Sequence, residues 1–362
     1  MNDPVLPPQA IKGRGAASNP EGRFETIRHH AEDDGWQSLL LDETAPRPQT
    51  CVTEERARSV ITRNDSPDIA FDQAMNPYRG CEHGCVYCFA RPSHSYLNLS
   101  PGLDFETKIR AKGNLAEVLR AELAKPGYKV SPINIGSNTD PYQPIEKQYR
   151  IMREILEVLE ARGHPVGIVT KSALVTRDID ILSRMAERGL AKVALSVTTL
   201  DRMLARTMEP RASTPTKRLE AIRQLSEAGI PASVMVAPIV PGLTDPEIER
   251  ILDSARAAGA REAGYVLLRL PLEVAPIFKD WLLRHYPDRY RHVMSLIRSM
   301  RDGKDYDSEW GKRMKGSGPY AWQIGRRFEI AAKRLGLNME RRPLRTDLFE
   351  PPAKKNEQLM LL

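Results

Sequence analysis

From about residue 66 the chain alternates between two hydrophobic periods. Short, nearly continuous apolar runs predict strands at 69–75, 133–137, 166–172, 192–199, 231–240 and 263–270. Apolar residues three and four apart predict helices between them at 114–125, 149–163, 176–189, 214–229 and 244–259. Gly163 is a helix stop, and Thr214 is an N-cap with Pro215 at the first helical position. Strands apolar on both sides are covered on both faces, and strands alternating with helices indicate a parallel sheet. Six such units make an open barrel or a doubly wound sheet, which periodicity does not separate. In both, ligands bind at the C-terminal ends of the strands.

The flanks differ. Residues 1–65 contain poor formers of helix and strand, such as GRGAASNPEGR (13–23) and APRPQ (45–49). They read as an extended arm with one short helix at most. From 276 the strand pattern stops, and 278–303 and 320–337 read as helices around the basic loop WGKRMKGSG. The expected division is an arm at 1–65, an α/β unit at 66–275, a basic helical extension at 276–345 and a flexible tail at 346–362.

The chain has 362 residues, of which 41% are hydrophobic and 28% charged, so a sizeable core is possible and a wholly disordered or rod-like chain is excluded. No apolar run is long enough for a transmembrane helix. The N-terminus, MNDPVLPPQA, lacks a basic start and an apolar stretch, so no secretory signal is expected and the cytoplasm is the expected location. The net charge is +7. Residues 311–345 carry ten basic side chains against Glu329 and Glu340, with Tyr320 and Trp322 interleaved. Basic groups with aromatics suit phosphate contact and base stacking, so nucleic acid is the expected partner there. The plainer alternative is a solvated amphipathic helix.

Four cysteines are too few for a disulfide scaffold at this length. Cys51 stands alone. Cys81, Cys85 and Cys88 lie in one loop, MNPYRGCEHGCVYCFARPSHSYL (75–97), directly after the first predicted strand. Three thiolates at this spacing can ligate three corners of a compact metal centre. A [4Fe–4S] cluster normally takes four cysteines, so three leave one iron open to another molecule. A zinc ion would need a fourth ligand such as His83 or Cys51. Three merely structural thiols are the remaining alternative. Gly80 and Gly84 permit the tight turns that chelation requires.

The Cys-x3-Cys-x2-Cys loop, with Tyr87 before its last cysteine, resembles the radical S-adenosylmethionine superfamily over about 66–270. That resemblance implies a partial (β/α)6 barrel of the TIM type and a [4Fe–4S] cluster on Cys81, Cys85 and Cys88. It also implies S-adenosylmethionine on the open iron and a reductant such as flavodoxin or ferredoxin. Reductive cleavage of the cofactor would yield a 5′-deoxyadenosyl radical that abstracts hydrogen. NPYRGCEHGCVYCFAR together with GSNTDPYQPIE (136–146) is similar to the spore photoproduct lyase-related group, often labelled DNA repair photolyases. The similarity to one bacterial subgroup extends into the arm (IKGRGAASNPEGRFE) and the tail (SGPYAWQIGRRFEIAAKRLGL). The implied activity is DNA repair or modification. The alternatives are a non-catalytic Fe–S or zinc module at DNA, and a radical enzyme acting on a protein or small metabolite.

The same resemblance suggests a cofactor site. Tyr87 belongs to it, Thr139 and Asp140 would face the amino group, and Lys171 would pair with the carboxylate. Ser196 would bond the ribose, and Arg211 would reach the carboxylate or a substrate phosphate. Pro238, Pro241 and Gly242 would pack around the adenine. Each has a plainer alternative: Asp140 and Glu146 in a solvated turn, Lys171 at the surface, Ser196 satisfied in the barrel, Arg211 in a salt bridge, and Thr244 or Asp245 as an N-cap. Spore photoproduct lyases carry a hydrogen-donating Cys at about the position of Ser137. A hydroxyl is a poor donor to a carbon radical, which leaves Tyr96 or Tyr142 as the candidate donors. Residues 358–362 (QLMLL, from Gln358 to Leu362) resemble the peptide that replication proteins place in the sliding clamp, so a clamp is a second expected partner.

Overall fold

The computed structural model describes residues 11–24, 48–340 and 343–351. The expected clamp peptide at 358–362 and the basic residues Arg341 and Arg342 lie outside them.

Among the described residues ten strands follow in chain order: β1 (Cys51–Glu54), β2 (Thr62–Arg63), β3 (Gln73–Met75), β4 (Tyr78–Arg79), β5 (Lys108–Ala111), β6 (Ile133–Ile135), β7 (Val166–Thr170), β8 (Ala191–Ser196), β9 (Ala232–Ile239) and β10 (Glu262–Leu267). The main sheet runs β10-β9-β8-β7-β6-β3-β2. Its six strands from β3 to β10 are parallel, and β2 pairs antiparallel on the β3 edge. The spatial order of those six repeats their chain order without a reversal. A doubly wound sheet must reverse direction at a switch point, whereas right-handed crossovers without reversal keep every helix on one side. The strand order therefore decides for the partial TIM-type barrel, the alternative that periodicity left open.

Alternation along the strands divides the interior. Ile133 and Ile135 of β6, and Val193 and Leu195 of β8, are buried in the main core. Their neighbours Asn134 and Ser196 line a central cavity, as do Ala74, Met235 and Val266. A side-chain period of two produces this split. Past the last ladder bond, Gly136 and Ser137 after β6, Lys171 after β7 and Arg269 after β10 line the cavity.

Two helix boundaries follow the signals in the sequence. Gly163 ends the helix Ile151–Ala161 with φ +59°, and the Thr214 side chain accepts the Lys217 N–H at the start of Pro215–Glu227. The expected single helix at 278–303 is two, Val274–His285 and Tyr290–Ser299. Pro287 divides them, since it lacks an N–H and restricts Tyr286 before it. Thr244 and Asp245 do not cap a helix with their side chains. They accept the Val240 and Gly242 N–H groups and close the turn after β9.

A small second sheet, β1-β5-β4, lies beside the cysteine loop. Arm residues also reach that loop. No helix among the described residues is long and apolar enough to cross a membrane.

Candidate active site

Cys81, Cys85 and Cys88 follow β4 and line one cavity of about 650 Å³. The same cavity is walled by residues of all six parallel strands, and by Gly136, Ser137, Asn138 and Asp140 after β6 and Lys171 after β7. The cysteine loop thus sits at the C-terminal mouth of the barrel, where an α/β fold binds its ligands.

Two glycines turn the loop, Gly80 at φ +79° and Gly84 at φ +67°. The loop is held by Arg91, which is completely buried. Its guanidinium donates to the carbonyls of Gly84, Cys85, Pro101 and Gly102 and pairs with Glu106. Glu106 also accepts the backbone N–H groups of Gly15 and Ala16 at 3.0 and 2.8 Å, and Arg14 donates to the Glu106 carbonyl at 2.9 Å. A Cβ on Gly15 would lie 1.8 Å from the Gly84 oxygen. The arm is therefore packed directly on the cysteine loop, by a residue without a side chain.

The thiols fit a cluster better than a single ion. No three His, Cys, Asp or Glu side chains among the described residues gather closely enough to hold one metal ion. Cys51 is exposed on β1, away from the cavity wall, and His83 Nδ1 faces Asp140 Oδ2 at 3.4 Å, in ion-pair range but outside hydrogen-bond geometry. Zinc thus finds no support here. Burial pushes all three thiols up, Cys85 to about 12, so each needs a cation at its sulfur to remain a thiolate. An iron cluster that spreads its corners across the loop would supply that charge.

Four of the six expected cofactor contacts share the cavity wall: Tyr87, Asp140, Lys171 and Ser196. The Asp140 carboxylate accepts from Thr170 Oγ1 at 2.6 Å, from the Lys171 N–H at 2.7 Å and from the Tyr142 N–H at 2.9 Å. Burial alone would raise its pKa, but His83 and these donors outweigh burial and hold it ionised. Lys171 Nζ stands 5.7 Å over the Tyr87 ring. Burial works against its charge, while Cys85 and Glu209 more than restore it. Ser196 donates to the Ala237 carbonyl at 2.6 Å.

The other two are elsewhere. Thr139 is buried and donates to the Tyr78 carbonyl at 2.7 Å, and it does not line the cavity. Arg211 pairs with Glu82 at 3.1 Å and also lies off the wall, so its salt-bridge alternative is the one realised. Glu146 is buried among Tyr78, Arg177 and the Met152 N–H. Neither tyrosine suggested as a hydrogen donor reaches the cavity. Tyr96 is exposed against Phe24, and Tyr142 is buried with its hydroxyl on Asp178. Of the turn after β9, Pro238 lines the cavity, while Gly242 faces His292 and Leu296.

Several residues carry the site without a sequence motif. Glu209 is buried and accepts from Tyr87, Thr198 and Arg218, which fixes the tyrosine behind the loop. Arg269 and Phe89 face the cavity together, with the guanidinium 4.8 Å from the ring centroid. One signal was available for Arg269: it is a lone charge at the end of the apolar run AGYVLLRL.

The Radical SAM superfamily model matches residues 75–255, half of the chain, from β3 to the helix after β9. The chain belongs to the radical SAM superfamily. It is a radical SAM enzyme, and this family uses a [4Fe–4S] cluster and S-adenosylmethionine. An uncharacterized protein of Mycobacterium tuberculosis is 40% identical over 268 residues, covering 72% of this chain and 79% of its own. A radical SAM Nα-GlyT isomerase of Pseudomonas phage M6 is 26% identical over 273 residues, covering 74% of this chain and 51% of its own. Spore photoproduct lyase complexed with dinucleoside spore photoproduct shares the fold, with a TM-score of 0.57 at 15% identity over 79% of this chain and 80% of that one.

The basic extension of this radical SAM enzyme is less open than its charge count suggests. Arg313, Arg326, Arg327, Arg334, Arg345 and Lys312 all face carboxylates within 4 Å. Lys315 and Lys333 have no such partner among the described residues. A count of charges along a sequence cannot see pairing with Asp68, Glu249 or Asp253, which come from distant segments.

Proposed function

We propose that this radical SAM enzyme acts on a nucleic acid, in DNA repair or modification. The cluster and S-adenosylmethionine, when bound, supply a 5′-deoxyadenosyl radical for hydrogen abstraction. Cys81, Cys85 and Cys88 would hold the cluster. Lys171 would offer its ammonium to the cofactor carboxylate, Asp140 would fix the Lys171 backbone and face the amino group, and Ser196 would meet the ribose. Tyr87 would present its ring to the cofactor while Glu209 holds its hydroxyl. Thr139 would act only through the Tyr78 carbonyl, and Arg211 only through Glu82. A flavodoxin or ferredoxin is the proposed reductant.

The observation that carries the nucleic-acid reading is the pairing of Arg269 with Phe89 on the wall that also holds the cysteines. A guanidinium set over one face of an exposed ring suits one nucleotide, with its phosphate on the first and its base against what the second leaves open. The dinucleoside spore photoproduct bound in a protein of the same fold supports the same substrate class. Clamp binding through 358–362 gains no support from the relatives. The cavity holds no thiol beyond the three loop cysteines among the described residues, so a return of hydrogen from a protein thiol is not part of the proposal.

The test is isotope transfer. The reduced holoenzyme is incubated with S-adenosylmethionine and DNA carrying deuterated nucleotides. Deuterium in the recovered 5′-deoxyadenosine is expected. Product that forms at the same rate without DNA, and never carries deuterium, would rule the substrate class out.

A further inference from the structure

The partial barrel has two free edges, since β2 and β10 end the sheet and do not pair with each other. A chain crossing closes this gap. On one side, the loop after the Tyr290–Ser299 helix joins the β10 edge, where the Leu267 N–H donates to the Met314 carbonyl at 2.9 Å. On the other, the segment between β2 and β3 carries Ser66 and Asp68. Arg313 donates to both of these side chains, and the Gly311 N–H donates to Asp68 Oδ1 at 2.6 Å. The paired residues are more than 240 positions apart, with |i−j| of 245 for Arg313 and Asp68. The Asp68 side chain is only 6% exposed and that of Arg313 19%.

Arg269 stands next to this crossing. Its Nε is buried without a hydrogen-bond partner. Its other nitrogens reach only the Tyr306 hydroxyl at 3.3 Å and the Met314 sulfur at 3.6 Å. No carboxylate pairs with it among the described residues, yet its charge acts on Asp68 and, after the Gly311 N–H and Arg313, helps hold that carboxyl low. Both arginines line the cavity, Arg313 paired with Asp68 and Arg269 without a carboxylate partner among the described residues. A partly buried guanidinium left with an open donor is poised for an anion.

We infer that Arg269 and Arg313 form a phosphate-binding subsite at the open side of the barrel, and that Asp68 holds the place of that phosphate until a substrate displaces it. Displacement frees the Asp68–Arg313 tie. The identity of the phosphate as a nucleic-acid phosphodiester rests on the proposed function above; the subsite itself does not. Arg313 exchanges one carboxylate for one phosphate and Arg269 gains its missing acceptor, while the displaced Asp68 carboxylate has to turn out to water.

The experiment titrates pyrophosphate by calorimetry into holoenzyme carrying S-adenosylmethionine, using wild type, Asp68→Asn, Arg269→Gln and Arg313→Gln. Arg269→Gln and Arg313→Gln should each weaken binding by about tenfold or more, and Asp68→Asn should tighten it several-fold. A merely structural tie predicts the opposite for Asp68→Asn, namely lower thermal stability and no gain in affinity. Arg269→Gln removes no ion pair among the described residues and so remains informative if Arg313→Gln unfolds. Equal pyrophosphate affinity in wild type and Arg269→Gln overturns the inference. A second arm uses a short single-stranded DNA oligonucleotide and its uncharged methylphosphonate analogue. Loss of binding for the analogue, and a log–log salt slope about 0.7 shallower in Arg269→Gln, extend the subsite to nucleic acid. Arginine-dependent pyrophosphate binding with no oligonucleotide binding would keep the subsite, overturn the nucleic-acid reading, and point to a phosphorylated small molecule.

Discussion

Arg91 and Glu106 form a fully enclosed ion pair, with Nη2 2.5 Å from Oε1 and neither side chain exposed. Arg91 spends its other donors on four carbonyls of the cysteine loop and the chain after it, and Glu106 accepts two N–H groups of the arm. One pair thus ties the arm, the cysteine loop and the helix Leu103–Thr107. Removing one partner of such a pair leaves a buried charge uncompensated, at a cost of about 3–5 kcal/mol. Arg91→Ala should lower the stability of the holoenzyme by that order and release its iron, as read by denaturant unfolding and iron analysis. Arg91→Lys should not restore iron, because one ammonium cannot reach four carbonyls and a carboxylate.

The arm has a sharper test at Gly15. A Cβ there would overlap the Gly84 oxygen, so Gly15→Ala should lift the arm from the loop. The expected result is faster bleaching of the cluster in air and faster proteolysis within the arm. Bleaching and cleavage at the wild-type rates would show that the arm is not a cover.

Cys81→Ala, Cys85→Ala and Cys88→Ala should each lose the iron and sulfide of an intact [4Fe–4S] centre after anaerobic reconstitution. Cys51→Ala should keep the full content, since Cys51 is exposed on β1 and off the cavity wall. Zinc in stoichiometric amount, sensitive to Cys51, would contradict this assignment.

His164 gives a pH dependence with a definite sign. Burial holds it at about 4 instead of 6.5, with its Nδ1 3.0 Å from the Pro165 carbonyl and its Nε2 2.8 Å from the Tyr128 hydroxyl. Between these values the unfolded chain binds the proton and the folded chain does not. The His164 contribution is complete above pH 6.5 and is lost as the pH falls towards 4, by about 1.4 kcal/mol per pH unit. Urea midpoints at pH 7, 6 and 5 should fall more steeply for wild type than for His164→Gln. Parallel midpoints in the two proteins would show that His164 is not buried in its neutral form.

The six βα units were legible because a parallel strand covered on both faces announces itself as an apolar run, as in VGIVT and ALSVTT. The barrel was legible through the family resemblance and not through periodicity, because its direct evidence is the order in which strands pair, and pairing is a long-range property. Three cysteines in one loop were legible because their chemistry is local. What holds them was not: Arg91 finds Glu106, and Glu209 finds Arg218 and Tyr87, through burial that composition does not encode. Thr139 and Arg211 show the converse. Both lie beside motif residues, but one hydroxyl turned to the Tyr78 carbonyl and one guanidinium to Glu82, away from the cavity.

The central claim is that Cys81, Cys85 and Cys88 hold a cluster that cleaves S-adenosylmethionine. The most direct measurement reduces the reconstituted enzyme with dithionite, adds S-adenosylmethionine, and quantifies 5′-deoxyadenosine and methionine. Equal amounts of the two from wild type, and neither from any of the three alanine variants, are predicted. Intact S-adenosylmethionine from a wild-type protein with full iron and sulfide, or cleavage by a variant lacking one thiol, would contradict it.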